Sequence, residues 1–147
     1  MRFFGYLLKV FILLLFIYFI YSNFFYISPR DGCFITILPS FLEFNNKTVL
    51  EAITILKNAS NQNYVDLCKN VKVINPNPNC GGYNGGCFYL GQTNKIHVNI
   101  SNNNPSLTAA VITHEVCHLL QSANNNPLSE DECYRKDDSV LREIVQL

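Results

Sequence analysis

The stretch Asn104-Pro105-Ser106-Leu107-Thr108-Ala109-Ala110-Val111-Ile112-Thr113-His114-Glu115-Val116-Cys117-His118-Leu119-Leu120-Gln121 decides how the rest of the chain is read. Asn104 suits a helix N-cap, and Pro105 suits the first helical position, where a missing N–H costs nothing. From Leu107 to Gln121 two faces separate at helical spacing. Ala109, Ile112, Val116, Leu119 and Leu120 form an apolar stripe expected to face a core, with Ala110, Val111, His114, His118 and Gln121 on the other side. Residues four apart lie one turn apart on the same face, so His114 and His118 can aim their imidazoles at one metal ion. Glu115, one residue round from the first ligand, can reach a water at that metal as a general base. Asn124-Asn125-Asn126-Pro127 is expected to end the helix near Ser122.

The H-E-x-x-H pattern fixes only three positions, and a surface helix carrying these side chains by chance is the competing reading. Two of the three histidines in the chain fall inside it. The third, His97, alternates with Ile96 and Val98 in an expected strand, Lys95 to Ile100, and reads as a solvated or hydrogen-bonded strand histidine. A catalytic zinc takes three protein ligands and keeps a fourth position for water. Ser129-Glu130-Asp131-Glu132-Cys133-Tyr134 offers the third ligand. Ser129-x-x-Glu132 is also a capping box, which gives Glu132 a structural role and leaves Glu130 freer for metal. Glu132 and Asp131 stay as alternatives, and the whole acidic cluster also suits the positive end of a helix dipole.

Glu130 followed three residues later by Cys133 resembles the E-x-x-A ligand segment of gluzincin metallopeptidases, with Cys in place of Ala. His114 through Gln121 is similar to the H-E-x-x-H-x-x-Q core of small membrane-attached gluzincin-like proteins. The resemblance covers the last third of the chain, roughly Ser106 to Leu147. It implies a zincin-type domain that hydrolyses peptide bonds in a peptide or protein substrate. Zn2+ would be held by His114, His118 and Glu130, with Glu115 as general base. No H-x-x-G-x-x-H continues the motif, which excludes a metzincin. Only Leu119 to Ser129 separates His118 from Glu130, so the second helix must turn back at once. If the two helices present their ligands to one zinc, Cys117 and Cys133 meet at the same contact, and a bridge between them would staple it. Tyr134 and His97 are candidates for an oxyanion-stabilising side chain. The alternative function is a membrane-tethered, disulfide-stapled interaction domain that keeps the fold without catalysis.

Phe3 to Ile27 is apolar and aromatic apart from Lys9, Ser22 and Asn23. With its flanks it reaches the length of about 20 residues that a bilayer core needs. Tyr18, Tyr21, Phe24, Phe25 and Tyr26 suit an interfacial belt. A cleaved signal peptide is the rival reading, but no A-x-A-like site follows. Arg2 and Lys9 precede the apolar core, which favours a cytoplasmic N-terminus and an exported C-terminal domain. All six cysteines lie after the anchor, and an even number in a short domain reads as a disulfide framework outside the cytosol. A structural zinc site using Cys80 and Cys87 is disfavoured by the lack of a C-x-x-C pair.

In the middle of the chain, Thr48-Val49-Leu50-Glu51 reads as a capping box opening a helix from Val49 to Lys57. A second helix is expected over Asn63 to Lys69, a strand over Val71 to Ile74, and a loop from Asn75 to Gly86. Cys87 to Leu90 and Lys95 to Ile100 flank a hairpin turn. The second of these strands, just ahead of the H-E-x-x-H helix, is where zincin-like enzymes hold an extended substrate, although plain sheet packing explains it equally. Eleven basic and eleven acidic residues balance, with no basic run, which argues against nucleic acid as a partner. The expected whole is a membrane anchor over residues 1–30, then an α+β domain over residues 31–147 with short helices and a small antiparallel sheet. Membrane lipid is the partner of the anchor; the oligomeric state is left open.

Overall fold

The computed structural model describes residues 2–40, 46–81 and 85–146. Helix α1 (Arg2–Phe24) is formed by the N-terminal apolar run. Its segment Gly5–Phe24 is long and apolar enough to cross a membrane and is not buried against the rest of the protein. Strand β1 (Phe25–Ser28) follows with no linker residue, so the sheet begins inside the stretch that composition assigned to the anchor. A short 3-10 turn, Pro29–Asp31, leads into β2 (Cys33–Ile37), with Gly32 at φ 65° closing the turn. Then come α2 (Lys47–Ala59), α3 (Asn61–Asn70), β3 (Val73–Pro76), β4 (Gly86–Cys87), β5 (Lys95–Val98), α4 (Pro105–Ala123) and α5 (Glu130–Val145).

The five strands lie in the order β1-β2-β3-β5-β4. The two outer pairings are antiparallel and the two inner pairings are parallel. The α+β class holds, but the small antiparallel sheet expected from the sequence is a mixed one. The reason is the connection: α2 and α3 form a long crossover between β2 and β3, and only such a connection returns the chain to a parallel neighbour. β5 is therefore interior, flanked by β3 and β4, and the free edge beside it belongs to β4. The expected strand from Cys87 to Leu90 contracts to Gly86–Cys87. Within the expected loop from Asn75 to Gly86, Asn75 and Pro76 extend β3, while residues 82–84 lie outside the described residues.

Alternation along the strands sends one face inward. Ile35, Ile37, Ile74, Ile96 and Val98 are all fully buried, packed in one core with Ile53 and Leu56 of α2, Leu67 of α3 and Ile112 and Leu119 of α4. Helix α4 was expected to bury one stripe. It is buried nearly all round, because α2, α3 and the sheet take one side and α5 closes the other. Its N-terminus is as expected: the Asn104 side chain accepts from the backbone N–H of Ser106 and Leu107, and Pro105 opens the helix. The capping box at Thr48 does not form. Asn46 is fully buried with its amide on the carbonyls of Asn23 and Ile37, so α2 starts earlier, and Thr48 instead donates to Asn103 Oδ1 at 2.8 Å.

Three disulfides complete the fold: Cys33–Cys68, Cys80–Cys87 and Cys117–Cys133. They join β2 to α3, the ends of the glycine-rich loop, and α4 to α5. Chain-entropy arguments rank them by loop length, so Cys33–Cys68, with a separation of 35, should contribute most, about 4 kcal/mol. Replacing both cysteines of that pair with alanine is expected to lower the urea midpoint more than removing either other pair. Equal losses for all three would contradict the ranking.

The turn after β1 is pinned by Asp31, which accepts from Lys57 Nζ, Tyr64 Oη and Ser28 Oγ. The hydrogen bond from Lys57 is the largest reason that its carboxyl is held down to about 2. A carboxylate depressed in the folded state stabilises above its unfolded value and loses that contribution as pH falls through the folded one. The stability difference between the native chain and Asp31→Asn should therefore be full at pH 7. It should shrink between about pH 4 and pH 2, as read from urea titrations at each pH.

Candidate metal centre

The site is built by two helices and a strand edge. Helix α4 carries His114, Glu115 and His118, and the first turn of α5 delivers Glu130. His114 Nε2 and His118 Nε2 stand 3.1 Å apart, and Glu130 Oε2 lies 3.1 Å from the first and 3.3 Å from the second. The three side chains form a group able to hold a metal ion. Both histidines are nearly buried, whereas the Glu130 side chain is 66% exposed, so the third member of the group arrives from the solvent side.

The other ring nitrogens explain why these atoms face one another. His114 Nδ1 donates to Asp137 Oδ2 at 3.0 Å, and His118 Nδ1 donates to Gln121 Oε1 at 3.2 Å. In neutral imidazoles this leaves both Nε2 atoms as acceptors, aimed at each other and at a carboxylate oxygen. A proton on one ring would satisfy one edge of the triangle. A cation at its centre satisfies all three. Burial holds the Asp137 carboxyl above its ordinary range, against the pull of His114.

Gln121 does more than hold His118. Its Oε1 also accepts the backbone N–H of Ser129 at 3.1 Å, and its Nε2 donates to Glu132 Oε2 at 2.8 Å. Ser129 caps α5 by accepting from the Glu132 N–H, as the capping-box reading expects. The Glu132 side chain does not return to Ser129, because Gln121 takes that place. Glu132 is thereby directed away from the metal group, and Asp131 is not part of it, so of these three acidic residues Glu130 is the one brought to the histidines. The disulfide Cys117–Cys133 fixes the same contact one helical step away.

A cleft of about 500 Å³ opens over the group, lined among others by Gly86, Phe88, Val111, Glu115, Leu128 and Tyr134. Glu115 is only 3% exposed, and its Oε2 has no hydrogen-bond partner among the described residues. Burial, and then the Glu130 carboxylate, push its carboxyl up to about 8. A cation at the three ligands would act in the opposite direction. Gly86 of β4 packs directly on this carboxylate, and a Cβ there would overlap it. The Tyr134 ring lies 4.7 Å from that of His114, so this candidate is at the cleft. His97 is not. It lies on the outer face of the sheet, where Asn75 Nδ2 donates to its Nδ1 and its Nε2 donates to Gln92 Oε1. Burial lowers its pKa, which suits that neutral form.

Asp137 and Gly86 were not singled out as site residues by sequence reasoning, and Gln121 entered only as the last position of the H-E-x-x-H-x-x-Q pattern, without a role of its own. A signal for Asp137 existed: Glu130, Tyr134 and Asp137 recur at i, i+4 and i+7, one face of a helix, and all three line the cleft. Partners that orient metal-binding histidines typically carry about 10–100-fold in affinity. Asp137→Ala and Gln121→Ala are each expected to weaken divalent-metal binding by about that factor in chelator competition, while His114→Ala abolishes it. Unchanged affinity in Asp137→Ala would show that the His114–Asp137 bond does not support the site.

Comparison of the chain with protein families, with curated proteins and with solved structures gives no match.

Proposed function

We propose that the chain is a membrane-anchored zinc peptidase, gluzincin-like in its ligand set, that cuts peptide bonds outside the cytoplasm. The observation that carries this reading is the triangle of three acceptor atoms with edges of 3.1, 3.1 and 3.3 Å. Nitrogen and oxygen ligands about 2.0–2.1 Å from a tetrahedral zinc stand about 3.3–3.4 Å apart, close to those edges. Two histidines and a glutamate form a hydrolytic zinc set that leaves a fourth position open, and here the cleft opens over it. Zinc, when bound, supplies a water acidified toward neutrality and a Lewis acid for the scissile carbonyl.

The chain's own residues do the rest. Asp137 and Gln121 hold the two imidazoles with Nε2 forward. Glu115, buried beside the ligands with its Oε2 unpartnered among the described residues, accepts the proton from the attacking water and returns it to the leaving amine. The strand expected to hold substrate, β5, has both edges occupied. Its neighbour β4 is the edge strand and lines the cleft, so an extended peptide pairs there. Its glycine at position 86 lets the backbone approach Glu115. Three disulfides suit an oxidising compartment, and Arg2 and Lys9 ahead of the apolar run suit a cytoplasmic N-terminus.

Glu115 is not a ligand in this scheme, so Glu115→Gln should keep one zinc per chain by elemental analysis. It should lose peptide hydrolysis by about 10²–10⁴-fold, in kcat more than in KM, on a substrate found by peptide-library screening. A Glu115→Gln variant as fast as the parent refutes the role given to Glu115. Stoichiometric zinc with no peptide cleaved would favour the interaction-domain reading.

A further inference from the structure

We propose that the outer face of β1 and β2 lies in the headgroup layer of the membrane that α1 crosses, with Phe25, Ile27 and Phe34 as its lipid contacts. The inference rests on α1 being a membrane span. In the antiparallel pair, Phe25 sits opposite Thr36, and Ile27 opposite Phe34. Their neighbours in the alternation, Cys33, Ile35 and Ile37, are buried in the core, so these four side chains point the other way. Phe34 is 47% exposed, large and apolar, and Phe25, Ile27 and Thr36 beside it on that face are half-buried.

What covers it follows from its continuity with α1. The helix ends at Phe24 and the strand begins at Phe25, with no residue between to let the sheet swing away. The Asn46 side chain ties the end of α1 to β2 by bonding both the Asn23 and Ile37 carbonyls. The rings of Tyr21, Phe25 and Phe34 form a chain, with centroids 6.3 and 6.0 Å apart, from the last turn of α1 onto the sheet. Tyr26, one residue on, points the other way and bonds Tyr64 in the domain.

The same face changes character with distance from α1. Across β1 and β2 it presents Phe25, Ile27, Phe34 and Thr36, without a charge. On β3 and β5, the next two strands, it presents Val73, Asn75, Lys95 and His97, of which His97 is buried. A face that is apolar beside an apolar helix and polar away from it matches the step from membrane interface to water. Aromatic side chains favour that interface.

The chain contains no tryptophan, so a single one reports its own surroundings. The test uses the full chain in phospholipid nanodiscs, with and without lipids brominated near the headgroup end of the acyl chain. Three variants are compared: Phe34→Trp, Phe16→Trp within α1, and Val145→Trp at the far end of α5, where the side chain is 86% exposed. Phe34→Trp is expected to show blue-shifted emission and strong quenching by the brominated lipid, with Val145→Trp unshifted and unquenched. Quenching of Phe16→Trp with none of Phe34→Trp would overturn the proposal and leave the span intact. If Phe16→Trp, read also with lipids brominated deeper in the chain, is not quenched, the span itself fails and the proposal falls with it.

Discussion

Helix α4 is buried on almost every side, and that burial is the constraint to which the rest of the fold answers. A helix in this position has no water to satisfy polar side chains, yet this one carries Glu115, His118 and Gln121 within two turns, each at most 5% exposed. Buried polar groups without partners cost stability, so the neighbouring elements must supply partners or be matched to a ligand. Helix α5 supplies most of them. Its first turn takes both ends of the Gln121 amide, its second turn offers Asp137 to His114, and its Cys133 is bonded to Cys117. Around His114 and His118, the groups left over are two Nε2 lone pairs, one carboxylate oxygen of Glu130 and Oε2 of Glu115. All of them face one cleft.

This division explains how a domain of little more than one hundred residues can keep so polar a centre. Covalent staples stand in for the larger core that a bigger domain would use. Cys33–Cys68 holds the sheet to the α2–α3 crossover, and Cys117–Cys133 holds the two halves of the metal group in register. Gln121 is the point where folding and chemistry share a side chain. It closes the start of α5 by accepting from Ser129 and orients His118 through the same oxygen, so the third ligand and the second histidine are set by one residue.

What the sequence showed and what it concealed divide along physical lines. His114, Glu115 and His118 were legible because one helix fixes their relation at a spacing of four residues. The Asn104–Pro105 start of α4 was legible for the same local reason, whereas the pairing of Cys117 with Cys133 was expected only from two helices presenting their ligands to one metal. Strand β1 was hidden because Phe25 to Ile27 continues the aromatic run of the anchor with no boundary signal between them, while β2 lies beyond the polar turn Pro29-Arg30-Asp31-Gly32 and was not assigned from the sequence. The mixed sheet was hidden because parallel pairing depends on where the α2–α3 crossover returns the chain, a long-range matter. Thr48 looked like a cap because its local pattern is right, but the amide of Asn46 is claimed by Asn23 and Ile37, which moves the helix start. The roles of Asp137 and Gln121 required knowing that α5 folds straight back on α4.

The direct passage of α1 into β1 has a consequence for whom the protein meets. With α1 in a bilayer, a tether of no length leaves the domain almost no freedom along the membrane normal. The metal cleft sits at the β4 edge, four strand spacings from β1, about 19 Å across the sheet. It therefore samples only a layer about one domain deep. A partner fixed in the same membrane shares that thin layer and searches for the cleft in two dimensions. Short tethers of this kind give effective concentrations of order millimolar, well above those of dilute molecules in bulk solution. With α1 in a bilayer, this geometry would favour neighbours held on the same surface over molecules passing in solution, before any side chain in the cleft has made a choice.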